Sequence, residues 1–422
     1  MPNAPSSAPP VAAPPAPPIG KDAPYLEVGT PAYRRVTAIL FVAGFSTFAT
    51  LYCVQPLLPD FVRAYGISPP GASLSLSVTT AALAFALLVA GAISDRSGRK
   101  GIMVASLALS GGLGLASALA PSWTLFLVLR TLAGLALGGL PAVAMAYVAE
   151  EVNPKSAGLT MGLYIGGTAM GGMGGRVLTV LITDVSNWRV AVGLVGAMGI
   201  AAAIIVALAL PPSRHFRPRD GGQQGVGLLG GLIAAWRLHL SDGGLVALFA
   251  TGFLAMGAFV AVFNYVGFRL QAPPFNLAPA TVAALFLVYV FGIISSPLFG
   301  GLSSRFGPGR VLVASSLLMA LGLGVMGFPR LDTLAMGLGL FTFAFFGVHS
   351  VASGWIGLRA RQHRGQASSL YLFAYYMGST LAGTAGGFFW HEGAWTGVTL
   401  FVGGLLVALI LNALGLAARR VK

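Results

Sequence analysis

Two arginines, Arg130 and Arg176, stand within long apolar stretches of this chain, and no aspartate or glutamate lies deep in any such stretch. A charge at the centre of a helix in hydrocarbon costs at least ~2.5–3.5 kcal/mol, so each arginine needs a chemical reason. At ~1.5 Å per residue, Arg130 lies ~10 Å into the stretch opening at Trp123, and Arg176 roughly 9 Å from the far end of its own. Asp60 closes the first stretch on the same side. Three chemistries are open to this set. Arg130 and a nearby acid, with Asp60 the candidate, can form a proton-coupling pair in which protonating the acid frees the arginine. Alternatively, the two guanidinium groups attract an anionic solute, because their forked donors match carboxylate or phosphate. In the third reading they satisfy helix-end carbonyls, which suits Arg176 best. His349 can also carry a proton, its unperturbed pKa being about 6.5. A single helical histidine is equally at home as a hydrogen-bonded structural residue.

Enzyme chemistry finds no such footing. The five histidines (His215, His239, His349, His363, His391) are scattered without HExxH spacing, and no GxSxG or Walker loop occurs. The expectation is a protein that is not an enzyme and holds neither cofactor nor metal.

The elements that must position these residues are twelve apolar stretches, at 36–58, 73–94, 101–120, 123–149, 158–182, 190–210, 244–267, 279–301, 311–328, 333–357, 366–389 and 394–417. Each is close to the ~20 residues that a helix needs to cross ~30 Å of hydrocarbon. Lipid cannot satisfy backbone N–H and C=O groups, so such stretches must be helices. Hydrophobic residues make up 56% of the chain and charged residues 9%. The net charge of +14 would suggest nucleic acid in a soluble protein, but its placement argues otherwise. Basic residues gather in the two tails and in alternate loops, as in Arg96-x-x-Arg99-Lys100, Arg359-x-Arg361-x-x-Arg364 and Arg419-Arg420. The positive-inside rule then places both termini in the cytoplasm, and no nucleic-acid partner is expected. Residues 1–35, proline- and alanine-rich, read as a disordered tail, and 418–422 as a short basic one. Cys53 is the single cysteine, so no disulfide framework exists.

The chain also repeats itself. Gly44-Phe45 recurs as Gly252-Phe253, and Tyr164, Gly171 and Trp188 recur as Tyr371, Gly378 and Trp395. Two pseudo-symmetric six-helix bundles follow, at 36–210 and 244–417, joined by a polar linker at 211–243. Within that linker, Leu228 to His239 can form an amphipathic helix on the membrane surface. Repeats of this kind place a solute site between the halves near the bilayer midplane. Aromatic and polar residues suited to line it are Tyr52, Gln55, Tyr164, Asn264, Tyr265, Tyr289, Tyr375 and Tyr376. Interfacial aromatic belts are the alternative reading for those near span ends. Gly167, Gly171, Gly174 and Gly175 leave one helix face bare, either for close packing alone or for a bend or sliding interface.

The loop after the second stretch reads GAISDRSGRKGIM, Gly91 to Met103. It resembles the signature loop of the major facilitator superfamily, G-x-x-x-D-R-x-G-R-K. Gly91 permits close helix approach, Gly98 a tight turn, and Asp95 a negative charge suited to a helix N-terminus. The resemblance implies that Asp95, with Arg96 beside it, latches the outward-facing state against the eleventh helix. It also implies that Arg99 pairs with an acid ending the fourth, Glu150 or Glu151. Alternatively, these are merely positive-inside charges in a short turn. The second copy carries Ser304 in place of the acid, so the latch should be asymmetric. LVLRTLAGLALGG (Leu127 to Gly139) and GLYIGGTAMGGMGGR (Gly162 to Arg176) resemble motifs of the drug–proton antiporter branch. The second departs from that pattern, with Gly172 where proline is usual and Arg176 where glycine is. ATLYCVQPLLP, GGMGGR and NWR together are similar to a narrower branch associated with acriflavine resistance. The resemblance implies an all-α, alternating-access transporter in a bacterial inner membrane, exporting small amphipathic molecules in exchange for protons. The alternative is an importer or facilitator of an organic anion or sugar. The expected partners are the solute, protons and the lipid bilayer, and the expected state is a monomer.

Overall fold

The computed structural model describes residues 25–216 and 228–418. Among the described residues, eleven helices are long and apolar enough to cross a membrane. The last of them, Arg364–Ala418, is two helices run together, since Gly393 and Ala394 (φ +47°) leave helical geometry in its middle. Splitting it there gives twelve crossings, as the hydropathy pattern predicts. We number them span 1 (Pro31–Tyr65), span 2 (Pro69–Ser97), span 3 (Arg99–Ala118), span 4 (Trp123–Glu151), span 5 (Pro154–Val185) and span 6 (Trp188–Ala209). The second half comprises span 7 (Gly243–Gln271), span 8 (Phe286–Phe306, with a lead-in helix Pro279–Leu285), span 9 (Pro308–Met326), span 10 (Leu331–Arg359), span 11 (364–392) and span 12 (395–418).

Three spans are broken, each where the sequence removes regular helix bonding. Span 1 tightens into a 3₁₀ turn at Gln55–Leu57 around Pro56, then resumes as Leu58–Tyr65. Span 4 stops at Leu137 and restarts at Pro141, whose ring nitrogen has no hydrogen to donate. Span 8 begins with a 3₁₀ turn at Phe286–Tyr289 and carries Pro297 inside its helix. Asp60 therefore sits within a continuing helical run rather than at the end of the first crossing.

The repeat seen in sequence is a repeat of contacts. Span 1 packs along span 5, and span 7 along span 11. A Cβ added to Gly171 would fall on the Phe45 carbonyl, and one added to Gly378 on the Phe253 carbonyl. Gly44 lies against the Tyr164 ring, and Gly252 against the Tyr371 ring. Gly98 (φ +85°) and Gly307 (φ +87°) make the equivalent turns after spans 2 and 8. Their backbone lies where a Cβ is strongly disfavoured.

We call the side bearing the loops after spans 2, 4, 6, 8 and 10 the basic face. The tail expected to be disordered through residue 35 is ordered from Tyr25. Leu26 forms a bridge with Val152, Glu27 accepts a hydrogen bond from Asn153 Nδ2 (2.7 Å), and Pro31 already opens span 1 behind the Thr30 cap. These backbone partners supply what composition alone did not reveal. Residues 1–24 and 419–422 lie outside the described residues. Leu228–Leu240 is helical as expected, and it docks on the second half. Trp236 Nε1 donates to Gln366 Oε1 (3.3 Å), and a His239 ring nitrogen meets the His363 carbonyl (3.2 Å). At the start of span 7, burial alone would raise the Asp242 carboxyl. Hydrogen bonds from Arg359 and from the Gly244 and Leu245 N–H groups prevail and hold it below the usual carboxylate range.

Candidate functional site: a cavity between the two halves

A cavity of about 360 Å³ lies between the halves, lined from spans 1, 2, 4, 5, 7, 8, 10 and 11. Its wall is rich in aromatic rings: Phe48, Tyr52 and Tyr164 from the first half, Phe259, Tyr289, Phe345, Phe346, Tyr371, Tyr375 and Tyr376 from the second. Exposed Ser353 and Ser368 mark its end towards the basic face, and buried Arg176, Tyr52 and Tyr289 its closed end. Beyond the closed end the halves are bonded together. Gln55 Nε2 donates to Asn264 Oδ1 (2.7 Å), Thr80 and Thr380 share a hydrogen bond (2.9 Å), and Thr384 donates to Ser77 Oγ (2.8 Å). Gly387 approaches so near the Pro70 backbone that an added Cβ would stand 2.7 Å from its Cα. The arrangement is a blind pocket that opens to one membrane face.

The two buried arginines are bonded differently, and capping, the reading that suited Arg176 best, falls to Arg130. Each nitrogen of Arg130 donates to a carbonyl: Nη1 to Thr50 (3.0 Å), Nη2 to Leu51 (2.9 Å) and Nε to Ser75 (3.4 Å). Thr50 and Leu51 precede the break in span 1, whose carbonyls have lost their helical partners. Helix-end capping thus falls to Arg130, not Arg176. Asp60 does not join it; the carboxylate pairs with Arg63 one turn on (2.7 Å), half-exposed near the non-basic face. The expected Arg130–Asp60 proton-coupling pair is not assembled, because Asp60 lies on the outer segment beyond the break.

Arg176 stands in the cavity wall instead. Nε donates to Gln55 Oε1 (2.7 Å) and Nη1 to the Gly172 carbonyl (2.6 Å). Its guanidinium carbon lies 4.1 Å from the Tyr52 ring centre and 4.6 Å from that of Tyr289. Such faces attract a cation, by about 2 kcal/mol when water is excluded. Nη2 has no hydrogen-bond partner among the described residues and is left to the cavity. Gly172, where the antiporter motif usually has proline, supplies the carbonyl that Arg176 uses. On the opposite wall, His349 Nδ1 lies 2.9 Å from the Tyr371 hydroxyl, with Tyr375 packed on the imidazole (centroids 4.8 Å).

Of the eight residues expected to line the cavity, Tyr52, Tyr164, Tyr289, Tyr375 and Tyr376 do so. Gln55, Asn264 and Tyr265 do not; they lie in the seam, where Asn264 Nδ2 (3.4 Å) and the Tyr265 hydroxyl (3.1 Å) both donate to the Gly383 carbonyl. Sequence reasoning missed Phe48, Phe259, Phe345 and Phe346 as lining residues. It also passed over Tyr371, although Tyr371 repeats Tyr164 and the repeat was the signal that could have placed it. Gly167, Gly171 and Gly175 face Phe41, Phe45 and Ala49 along span 1 at backbone contact, while Gly174 meets the Phe45 ring.

At the basic face, Arg99 grips Glu150 with two bonds (Nη2–Oε1 2.6 Å, Nε–Oε2 3.1 Å) and donates from Nη1 to Ser94. Glu151, the other acid considered, binds the His215 backbone N–H (2.8 Å) and faces its ring (3.2 Å), on which Tyr25 stacks. The side chains of Gly91, Asp95 and Arg96 lie outside the described residues.

Helices, repeat and inter-half cavity define a membrane transporter of two related bundles, and the comparisons with known proteins give the family. The profile of the Major Facilitator Superfamily matches residues 40–292. The "Uncharacterized MFS-type transporter YybF" of Bacillus subtilis is 46% identical over 401 residues, covering 94% of this chain and 97% of its own. The Escherichia coli "Inner membrane transport protein YnfM" is 44% identical over 387 residues, covering 92% and 91%. Among solved structures, a bacterial homologue of the human lysosomal transporter Spinster, in an inward-facing and unoccupied conformation, superposes with a TM-score of 0.71 at 15% identity, over 92% of this chain and 96% of its own. A mutant of the nucleoside transporter NupG gives 0.73 at 14% identity, over 90% and 99%. The chain belongs to the major facilitator superfamily: it is a multi-pass membrane transporter with an alternating-access fold, not an enzyme.

Proposed function

We propose that this transporter exports small amphipathic molecules in exchange for protons, using the inter-half cavity as its carrying site. The single observation that supports this reading is the cavity itself: aromatic, formed by both halves, open at the basic face and bonded shut at the other. Rocking about the seam would present the same pocket to either side in turn. With the basic loops cytoplasmic, as the positive-inside rule favours, the pocket faces the cytoplasm and both termini lie there in a bacterial inner membrane. The carrier is read as a monomer, because each half supplies part of one pocket.

Proton coupling needs a titratable group that the solute can sense. No Asp or Glu lines the cavity among the described residues, and Asp60 is too far out on its own segment. His349 is the group we assign, because its ring lines the pocket and is held by Tyr371. The loop Asp95-Arg96 with the Arg99–Glu150 pair is proposed to latch the basic face when it closes. Purified protein in sealed vesicles, given an imposed pH gradient and a panel of dyes, sugars and organic acids, tests the reading. Solute movement against its own gradient, driven by protons and lost in His349→Gln, supports it. Equal transport with and without the gradient would defeat the exchange.

A further inference from the structure

Three features of the cavity remain unexplained by exchange of amphipathic solutes in general. Arg176 is buried, carries a fixed charge, and has no carboxylate beside it among the described residues. Its Nη2 is free among the described residues, while Nε and Nη1 are taken by Gln55 and Gly172. The hydroxyls of Tyr164 and Tyr289, two lining residues, are buried and likewise without partners among the described residues. Buried polar groups are ordinarily bonded, so unpartnered donors around one pocket point to a ligand that completes them.

The repeat shows that the fold does not require this cation. Residues of span 5 recur in span 11 at an offset of 207, as Tyr164 and Tyr371 do, so Arg176 corresponds to Gly383 (176 + 207). The two counterparts anchor the ends of one chain of hydrogen bonds across the seam. Arg176 donates to Gln55, Gln55 to Asn264, and Asn264 to the Gly383 carbonyl. A glycine serves that position in the second half through its backbone alone. Arg130 shows the contrast: all three of its nitrogens are spent on carbonyls.

We propose that Arg176 is the anion-binding element of the cavity, receiving the carboxylate of an aromatic organic acid on Nη2, with the Tyr289 hydroxyl as a second donor and the aromatic wall holding the ring. The inference rests on the cavity being the carrying site. Because Arg176 is also the first link of the chain closing the non-basic face, an anion drawing on its donors loosens the bond to Gln55. Occupancy and opening of that gate are thereby joined in one side chain.

The probes are 2-naphthoate and its neutral isostere 2-naphthamide, measured for binding to the purified full-length protein. Wild type should bind the acid roughly tenfold or more tightly than the amide, the ratio a charge-assisted hydrogen bond brings. Arg176→Gln should erase that preference, and Tyr289→Phe should reduce it about threefold, since a hydroxyl bonds a carboxylate more strongly than an amide carbonyl. Should Arg176→Gln fail to fold, the wild-type ratio and Tyr289→Phe still decide. Equal binding of the two probes, binding of neither, or a preference surviving Arg176→Gln overturns the proposal. If the vesicles still move dyes, only the anion site has failed; if they move nothing, the carrying site itself has.

Discussion

Arg130 and Arg176 are alike in type, burial and position, yet their bonding gives them different consequences. Arg130 holds the broken end of span 1 by its carbonyls. Replacing it with glutamine strands two or three buried acceptors, each costing roughly 1–3 kcal/mol. Arg130→Gln should therefore lower the melting temperature by many degrees in detergent, read by tryptophan fluorescence. Asp60→Asn, by contrast, removes only a half-exposed pair worth ~0–1 kcal/mol. It should leave the melting temperature within about 3 °C of wild type and proton-driven transport within about twofold. A loss of coupling in that variant would restore the pairing that the structure separates. These differences were not legible in the sequence. Spacing gives depth along a helix but not which carbonyls a neighbouring span has released, and the break at Gln55–Leu57 decides that.

Between helices, the glycines of span 5 separate by what they touch. Gly171 rests on the Phe45 carbonyl, whereas Gly166, on the same span, has nothing within 4 Å of an added Cβ. Gly171→Ala should force spans 1 and 5 apart and destabilise by about 1–3 kcal/mol. Gly166→Ala should be neutral or slightly stabilising, by up to ~1 kcal/mol. Thermal unfolding of the two variants checks both, and equal effects would deny the packing face. Gly387→Ala, placed against Pro70 and the Tyr265 hydroxyl, should wedge the seam and raise thiol access from the non-basic side. A Cys53→Ser background carrying a cysteine at Thr384 measures this. Spans and their repeat were readable because twelve apolar runs and a steady offset are one-dimensional signals. The division of polar residues between cavity and seam was not. Gln55 and Tyr52 lie a single turn apart, and only the partner half determines that one meets Asn264 and the other the pocket.

For the whole molecule, the asymmetry of the closure is the feature that matters. Seam bonds join the halves on one side, and the cavity opens on the other. Transport then requires that the two faces open in alternation, with each half moving as a unit about the cavity. The polar closing contacts are hydroxyl pairs and one amide pair, beside a glycine set against a proline and Arg176 of one half stacked on Tyr289 of the other. Hydroxyl and amide bonds of this kind exchange with water when the halves part, at a modest net cost of about 1 kcal/mol each, which suits a reversible gate. The most direct measurement is a pair of spin-label distances in lipid. Labels at Leu159 and Leu358 report the basic ends of spans 5 and 10; labels at Val185 and Leu331 report the opposite ends. Changing pH or adding a transported solute should shorten the first distance as the second lengthens. Two distances that stay fixed, or that rise and fall together, would contradict the alternating cavity.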